Sequence, residues 1–315
     1  MPEIFEQHPE IPNQFITEKN GISLFLKRED LLHPKVSGNK FRKLKYNFKN
    51  AIFEGHDRLL TFGGAYSNHI AASAAAAKES GLQSIGIIRG EELGQNLEQS
   101  LSENPTLKFA ASCGMHLHFI SRSEYREKTS EAFLQNLKQQ FGKFYLVPEG
   151  GTNSLAVKGC EEILSEEDRK FDIICCSVGT GGTISGLINA SGQGQKVLGF
   201  PALKGDFLTP EVEKFSKKNN WDLITNYHFG GYAKVDARLI EFINQFRREY
   251  GVQLDPVYTA KMMFGILDLM NNKRFKENTR ILAIHTGGLQ GIPGMNKLLK
   301  KKRLPQIEVE DENHF

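Results

Sequence analysis

The stretch FDIICCSVGTGGTISG at 171–186 decides the fold. Its first half is apolar at successive positions, as a strand covered by helices on both faces requires. A glycine-rich turn follows, and then an apolar helical pattern. Strand, turn and helix in that order open a parallel α/β unit. Working outward, six further short apolar runs alternate with longer helical patterns: RLLTF (58–62), QSIGII (83–88), HLHFI (116–120), FYLV (144–147), KVLGF (196–200) and RILAIH (280–285). The expected class is α/β, with open parallel sheets and helices on both faces. Phe41, Leu44, Phe48 and Ile52 share one helix face, as do Leu239, Ile243 and Phe246. The polar segment 121–140, with Phe133 and Leu137 four apart, reads as a surface helix. The run KKKRLPQIEVEDENHF at 300–315 reads as a solvated helix end and a frayed tail.

At roughly 150 residues per domain, 315 residues suggest about two domains. Forty Lys and Arg against 37 Asp and Glu leave a formal charge of +3, too small to imply a nucleic-acid partner. No window approaches the roughly 18 apolar residues of a membrane helix, and the start MPEIFEQHPE lacks the plan of a secretory signal. A cytoplasmic protein with a small-molecule partner is expected. Cys113, Cys160, Cys175 and Cys176 form no CxxC pair and no metal-ligand spacing, so they read as reduced core thiols. His116 and His118 share a strand face with no third ligand spaced to join them, and no metal is expected.

Open parallel sheets bind ligands at the carboxyl ends of their strands. Four such junctions are rich in glycine: FGGAYSNH (62–69), VPEGGTNS (147–154), SVGTGGTISG (177–186) and IHTGG (284–288). Gly179-Thr180-Gly181-Gly182-Thr183, ahead of a helix, makes a cup of backbone N–H groups for an anion. It is neither GxGxxG nor GxxxxGK, so a phosphate monoester fits better than a nucleotide, and a plain tight turn is the competing reading. Ser67 or Asn68 is a natural N-cap for the Ala-rich helix after it, and the free N–H groups there suit a carboxylate. Lys40, in SGNKFRKL (37–44), falls at the first turn of an amphipathic helix, where the helix dipole disfavours its charge. That is a poor place for a structural lysine and a good one for a neutral amine that attacks a carbonyl. Lys43 and Lys45 read as solvated helix residues, and on its own signal Lys40 reads as one too. His285 ends a strand beside the same junctions.

As an ordered set, SGNKFRKL, GGAYSNH, VPEGG, GTGGT, PVYTAK (256–261) and IHTGG resemble the pyridoxal-phosphate enzymes comprising 1-aminocyclopropane-1-carboxylate deaminase and D-cysteine desulfhydrase, of the tryptophan-synthase-β-like fold. The resemblance runs from about residue 12 to about 295. It implies pyridoxal 5′-phosphate as cofactor, a small amino acid as substrate and a homodimer. It implies that Lys40 forms the Schiff base, that Asn68 bonds the pyridoxal 3′ oxygen and that Gly179, Thr180, Gly181, Gly182 and Thr183 bind the phosphate. Ser67, with His69 following, would take the substrate carboxylate; Tyr258 and Tyr232 would be the active-site tyrosines. A smaller domain at 46–154 would be inserted into a larger one formed by 1–45 and 155–315, with the cofactor between them. Thr259 and Thr286 stand where ring-opening members generally carry Glu and Leu, and desulfhydrase-like members Thr. The implied reaction is β-elimination from D-cysteine, giving pyruvate, sulfide and ammonia; the alternatives are deamination of 1-aminocyclopropane-1-carboxylate to 2-oxobutyrate, or a cofactor-binding protein without catalysis.

Overall fold

The structure is a computed structural model and describes residues 2–6 and 9–309. Tail residues 310–315 lie outside the described residues, and with them the expectation of a frayed end. The chain opens on a hairpin, β1 (Asn13–Lys19) and β2 (Ile22–Lys27), and then forms α1 (Asn39–Phe53). Next come β3 (Arg58–Gly64), α2 (Asn68–Glu79) and β4 (Gln83–Arg89). Helices α3 (Leu97–Glu103) and α4 (Pro105–Ser112) lead to β5 (His116–Ile120). Two further helices, α5 (Arg122–Arg126) and α6 (Glu131–Phe141), precede β6 (Tyr145–Val147) and α7 (Ser154–Glu161). After β7 (Ile173–Val178) and α8 (Gly182–Ala190) come β8 (Lys196–Pro201), α9 (Leu208–Glu213) and β9 (Trp221–Leu223). Helices α10 (Ala237–Tyr250) and α11 (Thr259–Asn271), strand β10 (Arg280–Ile284) and α12 (Ile292–Lys301) complete the chain.

The strands form two sheets, ordered β1-β2-β10-β7-β8-β9 and β5-β4-β3-β6. The smaller is wholly parallel; the larger is parallel except at its edge, where β1 runs antiparallel to β2. All seven apolar runs form strands. The expected open parallel sheets are present, and the larger one gains an antiparallel edge from the hairpin, whose tight turn Asn20-Gly21 has positive φ at both residues (54° and 68°). An Asn-Gly pair between apolar runs favours that turn because its twist matches the flanking strands.

Strand β7 shows why its sequence is apolar throughout. Cys175 faces a core shared with Leu239, Ile243 and Met263 from α10 and α11, while Ile174 and Cys176 face the other side with Ile184 and Leu187 of α8. The four cysteines are free, and only Cys113 departs from the expected core position, being half-buried. Phe41, Leu44 and Phe48 bury the apolar face of α1 beside Leu59 and Val147 of the smaller sheet. Ile52, expected on that face, is exposed at the helix end. The 121–140 segment breaks into α5 and α6, with Leu137 buried and Phe133 half-buried. His116 and His118 both lie edge-on to Phe141. Among the described residues, no helix is long and apolar enough to cross a membrane.

Candidate active site

The glycine-rich junctions come together where the carboxyl ends of the two sheets face each other. After β7, Gly181 adopts φ +82° and starts α8, a left-handed conformation that glycine takes without strain. The loop after β6 meets this turn directly: Thr152 and Thr180 share a hydroxyl–hydroxyl bond of 2.6 Å. The turn before α1 is held against the end of β10. Gly38 has φ +60°, and a Cβ there would lie 2.1 Å from the Thr286 carbonyl oxygen, so only glycine allows this approach.

Helix α1 therefore begins inside the site. Asn39 Nδ2 donates to Thr183 Oγ1 at 2.8 Å. Lys40 Nζ donates to the Gly150 carbonyl at 3.1 Å. Lys43, one turn further on, donates to the same carbonyl at 3.1 Å, to Thr152 Oγ1 at 3.0 Å and to Thr180 Oγ1 at 3.3 Å. Its side chain is 2% exposed, so the reading of Lys43 as a solvated helix residue is corrected. The i, i+3 spacing from Lys40 was the available signal, because it puts both amines on one helix face. Lys45 is not freely solvated either; it pairs with Glu162 at 2.6 Å. Burial and then the neighbouring Lys43 charge push the Lys40 amine well below the ordinary lysine value, and burial lowers Lys43.

Ser67 is the N-cap of α2, its Oγ accepting from Ile70 N at 3.4 Å, and Asn68 is the first helical residue. With the Gln290 amide oriented to satisfy its neighbours, it donates to Asn68 Oδ1 at 3.1 Å and accepts from Asn68 N at 3.2 Å. Gln290 escaped the sequence reading, since nothing local marks a glutamine two residues after a glycine pair as a partner of residue 68. His69 is buried. Its Nε2 lies 2.7 Å from Thr61 Oγ1, whose proton goes to the Val147 carbonyl, and its Nδ1 has no partner. Burial, then the Lys40 and Lys43 charges, push the imidazole well below its usual value.

Tyr258 closes another side. A Cβ on Gly179 would lie 3.1 Å from its ring and 3.3 Å from its hydroxyl. Its ring meets that of Tyr232 edge-on at 6.1 Å. Burial lifts both phenols above their ordinary value, Tyr258 well above, so both remain protonated at neutral pH. The two threonines differ. Thr286 Oγ1 bonds Ser177 Oγ at 3.2 Å at the ends of β7 and β10, inside the site. Thr259, next to Tyr258, is bonded to Asp255: its hydroxyl donates to Asp255 Oδ2 at 2.6 Å and accepts from Asp255 N at 3.0 Å. That Asp255 carboxylate also accepts from the backbone N–H groups of Val257, Tyr258 and Thr259. His285 is fully buried, bonding the Gln253 carbonyl and accepting from Gly287 N; it braces the glycine turn. A cavity of about 870 Å³ opens outside the 64–66 turn, lined by Tyr66, Arg89 and Tyr125 among others.

A family model described as pyridoxal-phosphate dependent enzyme matches residues 5–287. Over 298 residues the chain is 34% identical to the bifunctional D-cysteine desulfhydrase/1-aminocyclopropane-1-carboxylate deaminase, mitochondrial, of Arabidopsis thaliana, with 87% of this chain and 74% of that one covered. It is 30% identical over 298 residues to a putative 1-aminocyclopropane-1-carboxylate deaminase of Pyrococcus horikoshii, covering 89% and 88%. Among solved structures, an ACC deaminase homologue superposes with a TM-score of 0.79 at 28% identity, covering 95% of this chain and 99% of that one. A hydrogen sulfide-producing enzyme from Fusobacterium nucleatum shares the fold, with a TM-score of 0.64 at 14% identity, covering 92% and 99%.

Proposed function

Because the chain belongs to the pyridoxal-phosphate dependent enzymes, we propose that it removes the sulfur and the amino group of D-cysteine by β-elimination. The substrate's Cα–H and Cβ–S bonds break, and with one water the products are pyruvate, sulfide and ammonia. The observation that carries this reading is the pair Lys40 and Lys43. Two amines converge on the Gly150 carbonyl beside the 179–183 turn, and their bonds go to carbonyl and hydroxyl oxygens. Such a donor set fits a ligand that brings both an anion and an electrophilic carbon. Bound pyridoxal phosphate supplies an aldehyde that condenses with amines and a conjugated ring that takes up the electron pair left at Cα.

Each residue then has a task. Lys43 Nζ and the N–H groups of Gly179, Thr180, Gly181, Gly182 and Thr183 hold the phosphate. Lys40, whose charge is disfavoured by burial and then by Lys43, would be the amine that holds the cofactor and would take the Cα proton at Nζ. Asn68, braced by Gln290, would donate to the pyridoxal 3′ oxygen. Ser67 and the first N–H groups of α2 hold the substrate carboxylate. His69, neutral, lines that corner. Tyr258 Oη would deliver a proton to the leaving thiolate, and Tyr232 would orient it through their edge-on ring contact. Thr286, with Ser177, presents hydroxyls rather than a carboxylate to the ring. Thr259 contributes indirectly, by fixing the start of α11 behind Tyr258.

The absence of a free carboxylate at positions 259 and 286 favours β-elimination over ring opening, which needs a stronger electron sink. The second reading, deamination of 1-aminocyclopropane-1-carboxylate, is favoured by the names of the relatives. Purified protein with cofactor is to be given each substrate: the proposal expects sulfide and pyruvate from D-cysteine. Robust turnover of the cyclopropane acid alone would select the second reading. A cofactor complex that turns over neither would leave the non-catalytic one. We further place the protein in the cytoplasm, consistent with its free thiols. The proposed assembly is a homodimer, on family likeness, and residues 46–154, which hold the smaller sheet, are the proposed inserted domain.

A further inference from the structure

A buried lysine, Lys261, lies outside the proposed catalytic set. Lys261, on the first turn of α11, is 2% exposed. Its Nζ donates to the carbonyls of His228 (2.9 Å) and Gly231 (2.8 Å). Those carbonyls belong to the segment 228–234, where Phe229, Gly230, Gly231 and Ala233 all have positive φ (52°, 89°, 115° and 54°). For Phe229 and Ala233 that conformation is strained and persists only where the surroundings impose it. The segment's entrance is anchored by rings. Tyr227 Oη donates to Asp268 at 2.7 Å, and Phe229 packs edge-on to Phe264 with centroids 5.1 Å apart. Beyond Phe229, the turn leading to Tyr232 is tied to α11 by the Lys261 ammonium, and Tyr232 then reaches Tyr258.

We propose that Lys261 is a positioning residue that fixes the strained 228–234 segment so that the ring of Tyr232 is held against that of Tyr258. This inference rests on the functional reading above. It assigns Lys261 control over how the substrate is placed, through Tyr232. Charge-assisted bonds of an ammonium to two carbonyls are stronger than those of a neutral amine. Burial brings the Lys261 ammonium down to about 8, with the Asp255 carboxylate opposing. The other charged or titratable groups around it are Tyr232 and Tyr258, His228 on the segment, and Lys204, whose backbone and Cβ approach Gly231. Its hold therefore weakens as pH rises through that value.

The test is a double-mutant cycle on the holoenzyme. Lys261→Met is expected to keep the visible cofactor band and to lower kcat/KM for D-cysteine about tenfold, mainly through KM. In a Tyr232→Ala background the same substitution is expected to cost less than about twofold, since the residue it acts through is gone. Lys261→Arg, charged at all working pH values, is expected to restore most of the loss and to move the alkaline fall of kcat/KM away from about pH 8. Amide exchange gives a readout independent of turnover: in Lys261→Met the Gly231 and Lys234 amides exchange faster while β7 and α8 are unchanged. Equal losses with and without Tyr232, or unchanged exchange at 228–234, would overturn the proposal. Should Lys261→Met not fold, the wild-type and Lys261→Arg pH profiles decide it: coincident alkaline limbs refute it. If wild-type holoenzyme turns over neither D-cysteine nor the cyclopropane acid, the functional reading fails first, and exchange at 228–234 still tests the anchoring.

Discussion

Helix α1 carries basic side chains on two sides, and the two are treated in opposite ways. On one side Arg42 makes two 3.0 Å bonds to Glu29, a carboxylate with no solvent exposure, and Lys45 pairs with Glu162 at 2.6 Å. On the other side Lys40 and Lys43 meet carbonyl and hydroxyl oxygens. A buried cation that serves the fold comes with its counter-charge, because desolvating it alone costs several kcal/mol. The unpaired side costs stability in the protein alone and prepares a place for an anion and a carbonyl. One helix thus carries carboxylate-paired cations on one side and lysines bonded only to neutral oxygens on the other, within a single turn.

The comparison breaks most visibly at Lys40. Lys40→Ala is expected to lower turnover by at least about 10²- to 10⁴-fold, the usual worth of a general base, while thermal melts show no loss of stability. Replacing Arg42 by Met should do the reverse, leaving Glu29 buried without a partner. Melts and urea titrations are expected to show a loss of about 3–5 kcal/mol, and pairing the change with Glu29→Leu should recover most of it. An equally costly Lys40→Ala would mean that both sides of the helix are structural.

Lys43→Met sharpens the contrast. It is expected to weaken pyridoxal-phosphate binding about 10- to 100-fold, the size of one or two charge-assisted bonds, with no drop in the stability of the cofactor-free protein. Cofactor titration followed by visible absorbance checks it, and unchanged affinity would remove Lys43 from the phosphate site. The smallest effect is in pH. The Lys40 value in the folded protein lies below its unfolded value, so between the two the unfolded chain holds the extra proton and stability rises with pH. The penalty is complete below that window. Cofactor-free Lys40→Met is therefore expected to melt above wild type at neutral pH, with the gap closing as pH rises; a constant gap would contradict the shift.

Seven of the parallel strands were readable because each is an apolar run, and four of them, β3, β6, β7 and β10, end at a glycine-rich junction; β9, three residues long, carries no such signal. Strands β1 and β2 were harder: their signal is one Asn-Gly pair between runs that alternate weakly. At the site, Lys40, Ser67, Asn68 and the 179–183 turn were legible through local chemistry, as turn, cap and helix start. Lys43 was not, since burial of a lysine depends on what another part of the chain packs over it, here the 150–152 and 180 loops. Thr259 shows the same limit in reverse, its hydroxyl being claimed by Asp255 four residues earlier. Gln290 and Lys261 act through partners 222 and 30–33 residues away. Only tertiary contact reveals them.

The central claim is that the amine of Lys40, rather than that of Lys43 or Lys261, carries the cofactor. Holoenzyme reduced with borohydride, digested and mapped by mass spectrometry tests it in one step. The phosphopyridoxyl group is expected on Lys40. Finding it on either of the other lysines, or on none, would contradict it.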